Sequence, residues 1–328
     1  MSNYVTAIGL DVHARSISAC AFDPMTGEVS RARFGYDPAS VAEWALGFES
    51  PKAVYESGPT GFHLCRALRA PGVDCAVGAV SKMHRPAADR GRKNDRRDAE
   101  WLARLLACRN VVEVWVPDER TEAARDLSRA LEDARDDLQR ARQRMSKFLL
   151  GHGLVFDETT PTGRRRSNWT EAYWRWARSI EFDEADDAAA YERYTDAVDR
   201  CGEAKRELER RVVEAASRPE RAPTVDALCL VKGVDVATAF LLAAEAGDFS
   251  RFPSAPSFAA WCGLAPSERS SGETESRGGM LMSIRLSPIP PTQSRRSRQR
   301  VPAVSADVRR RFRRPGPARG PSCDRTSR

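Results

Sequence analysis

Two carboxylates, Asp95 and Asp98, stand three residues apart in the run Lys93-Asn94-Asp95-Arg96-Arg97-Asp98-Ala99-Glu100, which leads into Trp101-Leu102-Ala103-Arg104-Leu105-Leu106. The apolar spacing predicts an amphipathic helix, and a three-residue interval puts both acids on one face of it. Such a pair is most often a solvated, salt-bridged face. Two acids upstream change that reading. Residues 4–11 (YVTAIGLD) read as a buried strand ending in Asp11, and residues 52–55 as a short apolar strand followed at once by Glu56. An acid closing a buried strand is unusual because an unpaired buried charge is costly. Asp11 read alone is as readily a turn or cap residue. Acids without Cys or His offer only oxygen donors, which suit Mg2+ or Mn2+ rather than zinc.

The elements that must position these acids follow a regular order. Further strands are predicted over 16–23, 28–34 and 73–80, with a turn at Pro24-Met25-Thr26-Gly27. Helices are predicted over 40–48 and 61–68, and residues 82–92 form a basic connection before the Asp95 helix. The order β-β-β-α-β-α-β-α places acids at the ends of the first and fourth strands, where ligand sites in open α/β sheets collect. It resembles the ribonuclease-H-like fold of the RuvC-like junction resolvases, in which four such carboxylates converge. Four carboxylates at close range raise one another's pKa. A pair of divalent ions relieves that repulsion and clamps both the attacking and leaving oxygens of a phosphodiester displacement.

Beyond a last short strand at 113–117, the pattern becomes helical. Residues 119–150 carry Leu127, Leu131, Leu138, Met145 and Leu149 at helical spacing, and Gly151-His152-Gly153 ends the run. A loop at 157–167 holds Arg164-Arg165-Arg166, residues 168–178 are Trp-rich and helical, and 184–216 form a second long helix that reads as charged all round. Together they suggest an antiparallel arm or coiled coil, with His152 a helix-end residue. Residues 225–239 are similar to a helix–hairpin–helix element, which offers backbone N–H groups to phosphate. The stretch Ser270-Ser271-Gly272 reads, on its own, as a polar turn.

Composition sets the outer bounds. The chain has 328 residues, 30% of them charged, enough for two cored domains. No apolar run approaches the roughly 18 residues a membrane span needs, and no basic-then-apolar leader is visible. The eight cysteines are scattered without a C-x-x-C, so a reducing cytoplasm is the simplest setting. The net charge of +7 is unevenly placed: residues 281–328 hold thirteen arginines and two acids (+11), leaving 40 basic and 44 acidic residues (−4) in 1–280. Basicity therefore lies in the tail, and it is weak evidence for DNA binding by the folded body.

The ordered set Gly9-Leu10-Asp11-Val12-His13, Glu56-Ser57-x-Pro59-x-Gly61, Lys93-x-Asp95-x-x-Asp98-Ala99 and Leu264-x-Pro266…Ser270-Ser271-Gly272 resembles the DEDD-type insertion-sequence transposases of the IS one-ten family, which include the pilin-gene inversion recombinase. The resemblance spans about residues 4–279. It implies a RuvC-like (RNase H-like) α/β domain at 1–117, a helical coiled-coil region at 118–218 and a small all-α C-terminal transposase domain with a helix–hairpin–helix at 219–279. It implies Asp11, Glu56, Asp95 and Asp98 as ligands of two Mg2+ or Mn2+ ions, and a serine nucleophile, Ser271 or in its place Ser270. The implied partners are double-stranded DNA, a structured guide (bridge) RNA and further copies of the chain, as a dimer or tetramer, with no membrane. The implied location is cytoplasmic and nucleoid-associated. After Arg277-Gly278-Gly279 the family pattern stops, and the Arg/Pro/Ser-rich stretch 280–328 reads as disordered, like an out-of-frame or degraded end. Two other functions fit the same acids: a RuvC-like junction-resolving endonuclease using water, and an inactive nucleic-acid-binding remnant.

Overall fold

The computed structural model describes residues 5–79, 95–264, 266–271 and 274–280, with side chains described over 5–79 and 97–264. These residues fall into two compact units, 5–119 with 248–280, and 120–247.

The first unit is built on a mixed sheet. Its strands are β1 (Thr6–Val12), β2 (Ser16–Phe22), β3 (Val29–Gly35), β4 (Pro51–Glu56), β5 (Asp74–Gly78) and β6 (Glu113–Val114), in the spatial order β3-β2-β1-β4-β5-β6. β1, β2 and β3 form an antiparallel meander, β4 and β5 continue parallel to β1, and β6 closes antiparallel. The β2–β3 turn forms because the Asp23 carboxylate accepts from the backbone N–H of Met25 (2.7 Å) and Thr26 (3.3 Å), while Gly27 takes φ +77°. Helices α1 (Pro38–Leu46) and α2 (His63–Arg69) cover one face. Val41, Ala45, Leu64 and Leu68 pack there against Ile8, Leu10, Ala53, Tyr55 and Val77.

The alternate residues of the same strands belong to the other face. Ala7, Val54 and Ala76 pack there against Leu102 and Leu106 of α3 (Asp95–Ala107). Burying each leucine contributes roughly 2 kcal/mol. The expected α/β layering is thus present, and α3 begins at Asp95 as the spacing predicts. The 82–92 connection lies outside the described residues.

The same unit includes a 3-10 turn at Phe249–Arg251 and a hairpin of β7 (Pro266–Ser271) and β8 (Thr274–Met280). This corrects the expectation of an all-α segment over 219–279. Polar residues dominate both strands, so no apolar alternation marks them. In the sequence, the Gly-X pair Gly272-Glu273 is the available sign of a turn.

The second unit is helical: α4 (Glu119–Gly151), α5 (Glu171–Arg178), α6 (Ala185–Ala216), α7 (Ala222–Cys229) and α8 (Val236–Ala246); α9 (Ala255–Trp261) lies in the first unit. Leu138, Met145 and Leu149 of α4 pack with Tyr173 of α5 and with Tyr191 and Val198 of α6. Nearer the start of α4, Ala124 and Leu131 meet Val212 and Ala215, with Val225 of α7 and Phe240 of α8. The two long helices therefore run antiparallel. α6 is not charged all round: Tyr191, Val198, Val212 and Ala215 are buried along one stripe that its many acids and bases conceal in the sequence. His152 lies against Phe148 and Phe182 at the end of α4, in keeping with a helix-end role. Among the described residues no helix is long and apolar enough to cross a membrane. Residues 281–328 lie outside the described part.

Candidate catalytic site

Strand register decides how the upstream acids relate. β1 and β4 pair in parallel with Gly9 opposite Val54 and Leu10 opposite Tyr55, so Asp11 and Glu56 stand at the same level on neighbouring strands. Alternation puts both on the face that carries Ala7, Gly9 and Val54. That is the face covered by α3.

The helix is brought unusually close by Gly9. A Cβ there would lie 2.0 Å from the Ala99 carbonyl oxygen and 2.5 Å from the Ala103 nitrogen. Leu106 lies with Ala7, Val54 and Ala76, whereas Ala99, nearer the helix start, lies over Gly9. Moving along β1 toward Asp11 therefore climbs α3 toward Asp98. Asp98 is 8% exposed, buried on the sheet side and not on a solvated face. Glu100, on the flank, accepts from Arg31 of β3 (2.6 Å) and Arg104 (2.9 Å), and these bonds hold its carboxyl below the usual range.

Three of the four expected acids are thus directed to one end of the sheet face. The side chain of Asp95, one turn before Asp98, lies outside the described residues. Among the described residues no group of three or more His, Cys, Asp or Glu is set close enough to hold a metal ion. The donor chemistry of Asp11, Glu56 and Asp98 is all carboxylate oxygen, which fits a hard divalent cation. His13 adds a feature the acids alone did not announce: its Nε2 lies 3.2 Å from Asp11 Oδ2. Its place two residues after Asp11, within Gly9-Leu10-Asp11-Val12-His13, was the available signal. Ser57, next to Glu56, has a buried Oγ with no hydrogen bond among the described residues.

Ser270 and Ser271 end β7, paired with Glu275 and Thr274 of β8. Their side chains lie outside the described residues. Helices α7 and α8 lie where the sequence suggests a helix–hairpin–helix, joined by a connection in which Gly233 takes φ +91°. The first turn of α8 is capped by its own Asp235, which accepts from the Thr238 N–H at 2.7 Å. That carboxylate occupies a donor a phosphate would use.

Comparison with known proteins identifies the family. Residues 8–153 match the DEDD-type IS110 family model described as a transposase, and residues 225–283 match the model "Transposase IS116/IS110/IS902 family". The chain is 35% identical over 295 residues to the "Putative transposase y4qE" of Sinorhizobium fredii, covering 86% of this chain and 70% of that protein. The chain belongs to the IS110 family of insertion-sequence transposases. A second relative, the "Transposase for insertion sequence element IS1533" of Leptospira borgpetersenii, is 29% identical over 248 residues, covering 74% of this chain and 70% of its own length. In this transposase the first matched region contains all four acids and the second contains both serines. A DEDD-type transposase domain implies general dependence on a divalent metal ion, and a transposase acts on DNA.

Proposed function

We propose that this transposase cuts and rejoins DNA strands at a centre formed by Asp11, Glu56, Asp95 and Asp98, with Ser271 as the attacking group and Ser270 in its place should Ser271 be dispensable. The observation that carries the acid half is the β1–β4 register. It sets Asp11 level with Glu56 beneath the helix that buries Asp98. The strand order, an antiparallel three-strand meander continued by two parallel strands, supports an RNase H-like, RuvC-like reading of the unit.

A divalent ion, Mg2+ or Mn2+ and on the two-metal scheme a pair of them, would supply Lewis-acid polarisation of the phosphodiester. The chain's own residues do the rest. Asp11 and Glu56 present oxygen donors from rigid strand ends, and Gly9 sets the depth of α3 and hence the position of Asp98. His13 orients the Asp11 carboxylate. In the strand-cutting step a bond forms between the serine Oγ and phosphorus while the bond from phosphorus to a sugar oxygen breaks. The serine gives up its proton and the leaving sugar oxygen takes one up. The phosphodiester energy is kept in the serine–DNA bond, so rejoining needs no ATP. Recognition of donor and target falls to a structured guide RNA in this reading, with a dimer or tetramer pairing the two duplexes on nucleoid DNA.

The test uses the full chain, its guide RNA and element-end DNA with Mg2+. Wild type should form a covalent protein–DNA adduct, Ser271→Ala should form none, and Asp98→Asn should lose both cutting and adduct. Cutting that survives Ser271→Ala and Ser270→Ala together, while dying in Asp98→Asn, would replace the serine scheme with a water-using endonuclease. Undiminished cutting by Asp98→Asn would sink the acid centre.

A further inference from the structure

The helical unit carries a groove of about 530 Å3 lined by Arg135, Gln139, Arg142 and Lys147 of α4, by Trp169 and by Lys205 of α6. Residues 135, 139 and 142 recur at i, i+4 and i+7 and share one face of the helix. None of the residues lining the groove is acidic. The apolar packing between the long helices is divided here. One buried cluster reaches Leu138 and Val198, and the next takes up at Leu131 and Val212. On α6 the three-and-four spacing Tyr191, Tyr194, Val198, Cys201 arrives at Lys205 before Leu208 and Val212, so a cation takes the place of an apolar residue.

The cations are not equivalent. Arg135 and Lys205 are paired with Glu209, at 3.6 and 2.7 Å. Arg142 lies over the Trp169 ring, 5.0 Å from its centroid, and its Nε is shielded from water with no hydrogen bond among the described residues. Among the described residues no carboxylate is paired with this guanidinium, which can still donate to an anion. Trp169 itself has φ +68°, a left-handed conformation that bulky residues rarely adopt, so the backbone is strained where it presents this ring to Arg142.

We propose that the groove binds the phosphodiester backbone of a single nucleic-acid strand, with Arg142 on its Trp169 platform as the phosphate anchor and Lys147 and Lys205 flanking it. Aromatic and guanidinium planes lined by cations suit the stacked bases and phosphates of an unpaired strand. The inference rests on nucleic acid being this transposase's partner, but on none of the residues assigned to cutting. The plain alternative is a polar layer that only sets helix register.

Binding of the full chain to a short single-stranded RNA, the DNA of the same sequence and the corresponding DNA duplex, each over a salt series, separates these. Arg142→Gln with Lys147→Gln should weaken single-strand binding about tenfold at low salt and flatten the salt slope by about 1.4. Lys147→Gln alone, at an exposed position, should give part of that effect without touching the fold, and the exposed control Arg193→Gln should give none. A loss confined to RNA or to DNA names the strand, and either outcome supports the site. Unchanged single-strand affinity and slope in the folded double variant, or an equal loss on the duplex, overturns it. A wild-type chain that binds none of the three probes would instead refute the nucleic-acid reading of the whole protein.

Discussion

Helix α3 meets its sheet through Gly9, Ala99 and Ala103, whereas α8 in the helical unit is held at its carboxyl end by Arg125 of α4. In the first contact Gly9 brings no side chain, and its backbone lies against the backbone of α3 with the Leu102 Cβ beside it. In the second, a nearly fully buried guanidinium donates to the Ala244 carbonyl (3.0 Å) and the Glu245 carbonyl (2.7 Å) and lies 3.4 Å from the Glu245 carboxylate. Arg129 reaches the other Glu245 oxygen at 3.1 Å. A steric seat fixes distance tightly and tolerates no added atom. A charged seat tolerates small shifts but not the loss of a partner. The steric kind lies beneath the candidate acids, where position governs chemistry.

The largest effect should come from Gly9→Ala. The methyl group would overlap main-chain atoms of α3, which cannot rotate aside, so the helix must lift. We expect destabilisation on the order of 4 kcal/mol or more, with loss of strand cutting even at temperatures where the sheet survives. A thermal melt within about 1 kcal/mol of wild type would show that α3 does not sit on Gly9. Next in size is Arg125→Met, expected to cost about 3 kcal/mol because it strips donors from two carbonyls and removes one of the guanidinium groups paired with Glu245. Denaturant unfolding measures it, and a neutral result would mean the Arg125 fork contributes nothing net.

The same contrast explains what could be read in advance. Asp11 and Glu56 were legible because strand alternation and an acid at an apolar strand's end are local signals. So was the start of α3 at Asp95. Gly9 belongs to a sequence motif, but the need for it arises only when Ala99, some ninety residues later, is laid over it. Arg125 and Glu245 look like two more charges on two charged stretches, since a buried ion pair leaves no periodic trace. The β7–β8 hairpin leaves no apolar alternation in the sequence because polar residues dominate both its strands. Met280 apart, nothing in them signals a core. Local patterns therefore carried the elements, and long-range contacts carried their seating.

The smallest effect belongs to the flank of the steric seat. Glu100 joins α3 to Arg31 of β3 and to Arg104 one turn on, but both arginines are about half exposed, 49% and 52%. Water and salt screen such pairs, so Glu100→Gln should cost only about 0.5 kcal/mol, and less at high salt. The sign with pH follows from the lowered carboxyl pKa. Held below its ordinary value of 4.5, the carboxylate contributes its full share above that value and loses it as the pH falls through the lower folded-state value. The stability gap between wild type and Glu100→Gln should therefore be constant near neutrality and close in acid. A gap that stays the same down to about pH 3 would assign Glu100 to packing instead of charge. Strand cutting by Glu100→Gln should remain near wild type, because Gly9 still sets the helix at its depth. A loss as severe as that of Gly9→Ala would move the positioning of Asp98 from the steric contact to the ion pair.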